Sequence, residues 1–172
     1  MSGEKLSIEE AGVSEFIQKL NVNITELGLT PEHHYNTDET GLNWRQLPIK
    51  MLVTQEEKHV SGRKLQKEWI TLMVCANAPG VHILKLLVVR KSKSPCALKN
   101  IRVESLPFTY MSYIRARVTK EVFHDWYTNS FVPQVKQHWN EKKLPVKALI
   151  LLDNAPGHPD KEELRVRQLM AI

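Results

Sequence analysis

Cysteine is nearly absent: the 172 residues hold only Cys75 and Cys96, with no C-x-x-C spacing. No disulfide framework is available to such a chain, and a reduced intracellular setting fits best. Long apolar runs are missing too. Lys85 interrupts the longest candidate well short of the roughly 18 residues that cross a bilayer, so no membrane span is expected. The start, Met1 to Lys5, has no apolar signal region, and the sequon Asn23-Ile24-Thr25 therefore carries no weight. Internal repeats and low-complexity tracts are absent as well. What remains is an ordinary globular composition, 42% hydrophobic and 25% charged, long enough for one domain with a real core. The net charge of +5 and the pI near 9.2 suit a polyanionic partner without proving one.

Hydrophobic periodicity gives the elements. Ser7 and Glu10 form a capping box ahead of Val13, Phe16, Ile17 and Leu20, a short amphipathic helix expected to pack on the main body. Asn21 to Thr30 has the look of a linker, so residues 1–30 are assigned as N-terminal helix and linker and 31–172 as the domain proper. A first strand runs from His34 to Trp44 and carries Asp38. Strands at Trp69–Ala76 and His82–Val89 follow, joined by Asn77-Ala78-Pro79-Gly80 as a hairpin turn. Gln55–Lys67 is polar and basic, a connection. Val122, Phe123 and Trp126 mark a helix that Pro133 kinks or restarts. Val146–Leu152 is a buried strand, and Asp160 with Glu163 opens a last helix with a weak apolar face. Three antiparallel strands, then helix, strand and helix, predict an α/β protein with an RNase H-like mixed sheet. In that plan an acid on the first strand and an acid ending the fourth lie side by side.

The stretch Leu149 to His158, L-I-L-L-D-N-A-P-G-H, is where this plan bears on chemistry. Asp153 stands where the apolar strand runs out, the position at which open α/β sheets place ligands. Asp also caps helices and braces turns, so Asp153 alone is open to either reading. A partner at Asp38 sharpens the functional one. Adjacent carboxylates repel unless a cation sits between them, and hard oxygen ligands suit Mg²⁺ or Mn²⁺. Two such ions about 3.5–4 Å apart clamp the attacking and leaving oxygens of a phosphodiester displacement. Glu39 points to the opposite strand face from Asp38 and is a weaker ligand candidate. Asn154 and His158 stand beside Asp153, where His158 either orients it, positions a phosphate or is simply solvated. The loop Arg90, Lys91 and Lys93, with Lys99, Arg115, Arg117 and Lys120, is either a phosphate-binding surface or a solvated face. Among the tryptophans, Trp44, Trp69 and Trp139 are candidates for base stacking, whereas Trp126 falls in a helical apolar stripe and belongs to the core.

Two of these stretches resemble a known family. Asn36-Thr37-Asp38-Glu39-Thr40-Gly41-Leu42 is similar to the N-x-D-E-T-G-L motif of the pogo-type DDE transposases, and in particular of the Tigger and Jerky group that includes centromere protein B. Leu151-Leu152-Asp153-Asn154-Ala155-Pro156-Gly157-His158-Pro159 resembles that family's second signature. Val74–Ala78 and Phe131-Val132-Pro133 also fit, so the similarity spans about Pro31 to Pro159. The resemblance implies an RNase H-like domain that cuts and joins DNA with Mg²⁺ held by three carboxylates, Asp38 the first and Asp153 the second. It implies DNA as partner and the nucleus as location.

The departures shape what is expected of this chain. The family's third Asp follows a further strand beyond the second motif, and no residue up to Ile172 matches it. Asp160, Glu162 and Glu163 are too close to Asp153. The helix-turn-helix domains that usually precede this region are not matched either. The loop that usually reads G-K-S-x-x-P-R is Arg90-Lys91-Ser92-Lys93-Ser94-Pro95-Cys96, Arg117 replaces the usual Trp, and Trp69 replaces the usual Arg. The expectation is a C-terminally incomplete DDE domain, with cleavage absent or very weak. Its strand Ala148–Leu152 would be an open edge that aggregates or pairs with another chain or partner. The alternative is a non-catalytic, domesticated module that binds DNA or protein.

Overall fold

The computed structural model describes residues 10–43, 69–153, 155–159, Leu164 and 169–171. Strand β1 (His34–Asn43) lies inside the sheet, with one face covered and the other open. Tyr35 and Thr37 are buried on one face, while Asn36 and Asp38 are exposed on the other. Antiparallel to it runs β2 (Trp69–Asn77), and antiparallel to that β3 (Leu87–Arg90). A short β4 (Thr109–Ser112) pairs parallel with β3. On the other side of β1, β5 (Ala148–Leu151) and then β6 (Leu169–Ala171) run parallel to it. The strand order is β4-β3-β2-β1-β5-β6. Apart from β4 and β6 this is the expected RNase H-like sheet, an antiparallel meander whose first strand is flanked by a parallel one; Met170, expected on a last helix, lies in β6.

One face of the sheet is covered by a continuous helical run. It comprises α2 (Lys120–Trp126), a π-helical turn (Tyr127–Phe131) and α3 (Val132–Glu141). Phe123, Trp126, Phe131, Val135 and Trp139 from this run close on Tyr35, Met73, Leu87, Val89 and Ile150 to make the core. The Thr119 hydroxyl caps α2 by accepting the Val122 N–H at 3.4 Å. Pro133 sits in the first turn of α3, where a missing N–H costs little. The interruption expected there takes the form of the π-helical turn just before it.

Several expectations are corrected. The N-terminal helix, α1 (Glu10–Leu27), runs through most of the supposed linker. Within it the side chains of Asn23 and Thr25 bond back to the carbonyls of Lys19 and Asn21, at 2.9 and 2.8 Å, and so are satisfied without leaving the helical conformation. Gly28 then closes it at φ 58°, with the Leu29 N–H on the Ile24 carbonyl at 2.9 Å. The helix does not bury its apolar side on the domain: Val13, Phe16, Ile17 and Val22 remain exposed. β3 is shorter than His82–Val89, since Ile83 makes only an isolated bridge to Ala76 before the ladder resumes at Leu87. The strand β4 carries too short a pattern to be seen in the sequence. The edge expected at Ala148–Leu152 is occupied by β6, which pairs with Ala148–Ile150. Trp44, the connection Gln55–Lys67, the capping residue Ser7 and the helix start at Asp160–Glu163 lie outside the described residues.

Stacked histidines join the start of β1 to α3. The His82 and His138 rings stack 4.0 Å apart with nearly parallel planes, and His33 stacks on Trp139 at 4.3 Å. The Tyr35 hydroxyl meets His82 Nδ1 at 2.7 Å. Burial, with His138 and Lys142 alongside, pushes His82 down to about 4. Burial also lowers His33, His34 and His138, with Glu32, Glu141 and Lys147 the other nearby charges. Unfolded histidines titrate near 6.5, so the unfolded chain takes up these protons first. Stability is therefore full above about pH 6.5 and falls as the pH drops toward about 4. Urea midpoints measured across that window are expected to fall with acid in the native chain and to fall less in His82→Gln. A flat midpoint would contradict the buried stack.

Candidate metal and nucleic-acid site

The pairing of β1 with β5 matches His34 with Leu149, Tyr35 with Ile150 and Asn36 with Leu151. The same offset carried two residues further sets Asp38 level with Asp153, which lies just past the end of β5. The two carboxylates are engaged differently. Asp38 is exposed on the face away from the helices, and its Oδ1 accepts the Glu39 N–H at 2.8 Å. It borders a hollow of about 320 Å³ with Asn36, Val74, Ala76, Ile83 and Leu151. Asp153 is also exposed, but its Oδ1 accepts the Ala155 N–H at 3.1 Å and lies 2.7 Å from His158 Nδ1.

His158 is the buried member of this group, its side chain only 4% exposed. The ring sits 4.9 Å from that of Phe123, and Nε2 lies 3.2 Å from Glu39 Oε1. Its place depends on Gly157. A Cβ built there would stand 2.7 Å from the Val118 carbonyl oxygen, so the turn fits against the 118–119 backbone only as glycine. The structure thus ties Asp153 through His158 to Glu39, the neighbour of Asp38, and leaves Asp38 on the opposite face. Glu39 was the residue that sequence reasoning set aside. Its signal was there: strand alternation turns it inward, toward the side where the buried His158 waits. Asn154 lies outside the described residues.

The positive charges gather on the helix side. A hollow of about 960 Å³ runs between Glu39 and Gly41 on one flank, Arg115, Arg117 and Lys120 on another, and Pro156–Gly157 at its end. A second, of about 420 Å³, shares Arg115 and Arg117 and adds Trp69 and Lys91. Ala116, buried at φ 48°, turns the chain between the two arginines, and both stay exposed. Of the loop cations, Arg90 ends β3 and Lys91 borders this trough. Lys93 and Lys99 are exposed on the loop but are not among the residues lining either hollow. Trp126 and Trp139 are both core.

For a divalent ion the donor chemistry fits in part. Asp38 and Asp153 are hard oxygen donors at one level of neighbouring strands. Among the described residues, however, no group of three or more His, Cys, Asp or Glu is arranged to hold a metal.

The mixed sheet carries one acid on β1 and another just past the end of β5, the latter ahead of a turn closed by the His158 N–H on the Ala155 carbonyl. Residues 67–172, well over half the chain, match the family model described as DDE superfamily endonuclease, and the chain belongs to that family. Within it, the chain is 41% identical to the Jerky protein homolog of Homo sapiens over 165 residues, which is 95% of this chain and 29% of that protein. It is 36% identical to the Jerky protein of Mus musculus, over 99% of this chain and 30% of that one. Against Tigger transposable element-derived protein 7 of Homo sapiens the identity is 35%, over 92% and 30% respectively. The chain therefore spans about 30% of the length of these relatives. Among solved structures, the Mos1 mariner paired end complex with Mn is 11% identical at a TM-score of 0.49, covering 89% of this chain and 39% of that one.

The close seat of Gly157 gives a direct test of the turn. Gly157→Ala is expected to lower stability by about 1–3 kcal/mol, the usual cost of forcing extra volume into a filled site. Urea denaturation reads it, and an unchanged midpoint would show that the turn does not need the close contact with Val118.

Proposed function

We propose that this chain is the strand-binding part of a transposase-derived DDE domain. It binds the phosphate backbone of DNA in the trough of Lys91, Arg115, Arg117 and Lys120, and it presents Asp38 and Asp153 to Mg²⁺ or Mn²⁺. The observation that supports the reading is the pairing of β1 with β5, whose last pair, Asn36 with Leu151, lies two residues before each of the motif aspartates. Family membership supports the ancestral chemistry, Mg²⁺-dependent cleavage and transfer of DNA strands, and DNA as partner implies a nuclear location. When bound, a divalent ion would neutralise the repulsion between the acids and activate a phosphodiester for attack. Strand cleavage takes a third carboxylate in this family, and no described residue is placed to supply it. Cleavage by this chain alone is therefore expected to be absent or very weak. A non-catalytic module shares the same trough and differs only in having no use for the metal. A sheet edge paired with a second copy or a partner is compatible with both.

Gel-shift titration of duplex DNA tests the trough. If all four cations meet phosphates, log K should fall against log salt with a slope of about −3.6. Arg115→Glu with Arg117→Glu should abolish the shift at low salt. A flat salt response would remove nucleic acid as the partner. In the same samples, plasmid nicking with Mg²⁺ or Mn²⁺ should stay near background. Robust nicking lost in Asp153→Ala would show instead that two acids suffice.

A further inference from the structure

We propose that the smaller basic hollow is a stacking site for an unpaired nucleobase, with Trp69 as its platform and Lys91, Arg115 and Arg117 as its phosphate contacts; this deepens the trough reading above and rests on it. Trp69 opens β2 on the same face as the buried Met73 and Cys75, the face that the helical run covers further along. That cover stops short of the strand's start, and Trp69 stays 48% exposed. The indole is nevertheless seated. Gly41 on β1 pairs with Thr71, and a Cβ added at Gly41 would stand 3.2 Å from Cε3 and Cζ3 of the Trp69 ring. The ring thus lies on the backbone of the neighbouring strand and borders the hollow of about 420 Å³.

The cations beside it are held by backbone rather than by each other. The Thr71 hydroxyl donates to the Ala116 carbonyl at 2.5 Å, and the Ala116 N–H donates to the Tyr113 carbonyl at 2.8 Å. These bonds fix the turn at the buried Ala116 on β2, two residues along from Trp69, and Arg115 and Arg117 flank that fixed point. Ile114, 83% exposed, adds apolar surface to the same hollow, and Lys91 adds a third cation. Among the described residues lining it there is no acid, whereas Glu39 and Glu121 both line the larger hollow. An aromatic surface among fixed cations complements a planar ring carried on an anionic chain, the combination that binds single-stranded nucleic acid. Within a duplex the base faces are covered by their neighbours, so a duplex offers phosphates to the cations and no ring to Trp69. A strand with unpaired bases offers both. Arg115 and Arg117 also line the larger hollow, which gives the backbone of such a strand a path onward.

Two variants separate stacking from packing. Trp69→Leu and Trp69→Phe both keep an apolar cover over Gly41, and only Phe keeps an aromatic face. Fluorescence anisotropy of the whole chain with labelled oligothymidylate, read beside a labelled blunt duplex at the same salt, makes the comparison. Trp69→Leu is expected to weaken binding of the single strand about 5- to 150-fold, with Trp69→Phe within a few fold of the native chain and duplex affinity little changed in either. Free thymidine monophosphate at the same nucleotide concentration should not displace the strand; displacement would make the ligand a mononucleotide and overturn the strand. A Leu variant that binds the single strand as well as the Phe variant, or that loses the duplex in equal measure, overturns the stacking site while leaving the basic trough intact. A native chain that binds neither probe at low salt overturns the trough reading and this inference together.

Discussion

Everything at the candidate site depends on the parallel pairing of β1 with β5. Side chains alternate faces along a strand, so a slip of one residue in that register would turn Asp38 out of level and onto the wrong side. The pairing is held by burial. Tyr35 and Ile150, matched partners, both go into the core under the helical run, and Leu149 beside His34 is fully buried. The register that the apolar residues enforce is the one that aligns the acids, and nothing in the carboxylates themselves would favour it.

Electrostatics then divides the sheet in two. On the open face Asp38 stands near Val74, Ala76 and Ile83, and its carboxylate accepts the Glu39 N–H. On the helix face Glu39 meets His158, which reaches Asp153 just past the end of β5, and a few residues away the trough turns basic through Arg115, Arg117 and Lys120. A polyanion lying in that trough would bring its phosphates to the Asp153 end of the sheet, where a divalent ion would offset the repulsion between phosphate and carboxylate. On the proposed reading that arrangement would serve as a strand-binding surface with an acidic end.

The sequence was legible where one physical rule dominates. The alternation of β1, the apolar run of β5 and the Pro-Gly turn each announce themselves, and the order of elements leads to the RNase H-like sheet. Asp38 was proposed from its strand and Asp153 from its strand end, both with the motifs that carry them. The misses have causes of their own. Asn21, Asn23 and Thr25 read as linker residues because they are poor helix formers, yet the helix runs on through them to Leu27. β4 is four residues of an edge strand, too short for periodicity to speak. The trough is a tertiary product: Arg115 and Arg117 are separated in the chain from Lys91 and from Gly157, and only the fold puts them on one wall. His158 read as a histidine with several roles open to it, because its burial against Phe123 is invisible in one dimension.

The central claim is that the level aspartates share one divalent ion. Anomalous scattering from crystals of the chain grown with Mn²⁺ measures this directly. The account predicts a single peak within coordination distance of a carboxylate oxygen from Asp38 and of Oδ2 from Asp153. A peak on Asp153 alone, or at acids away from the β1–β5 end, would contradict it.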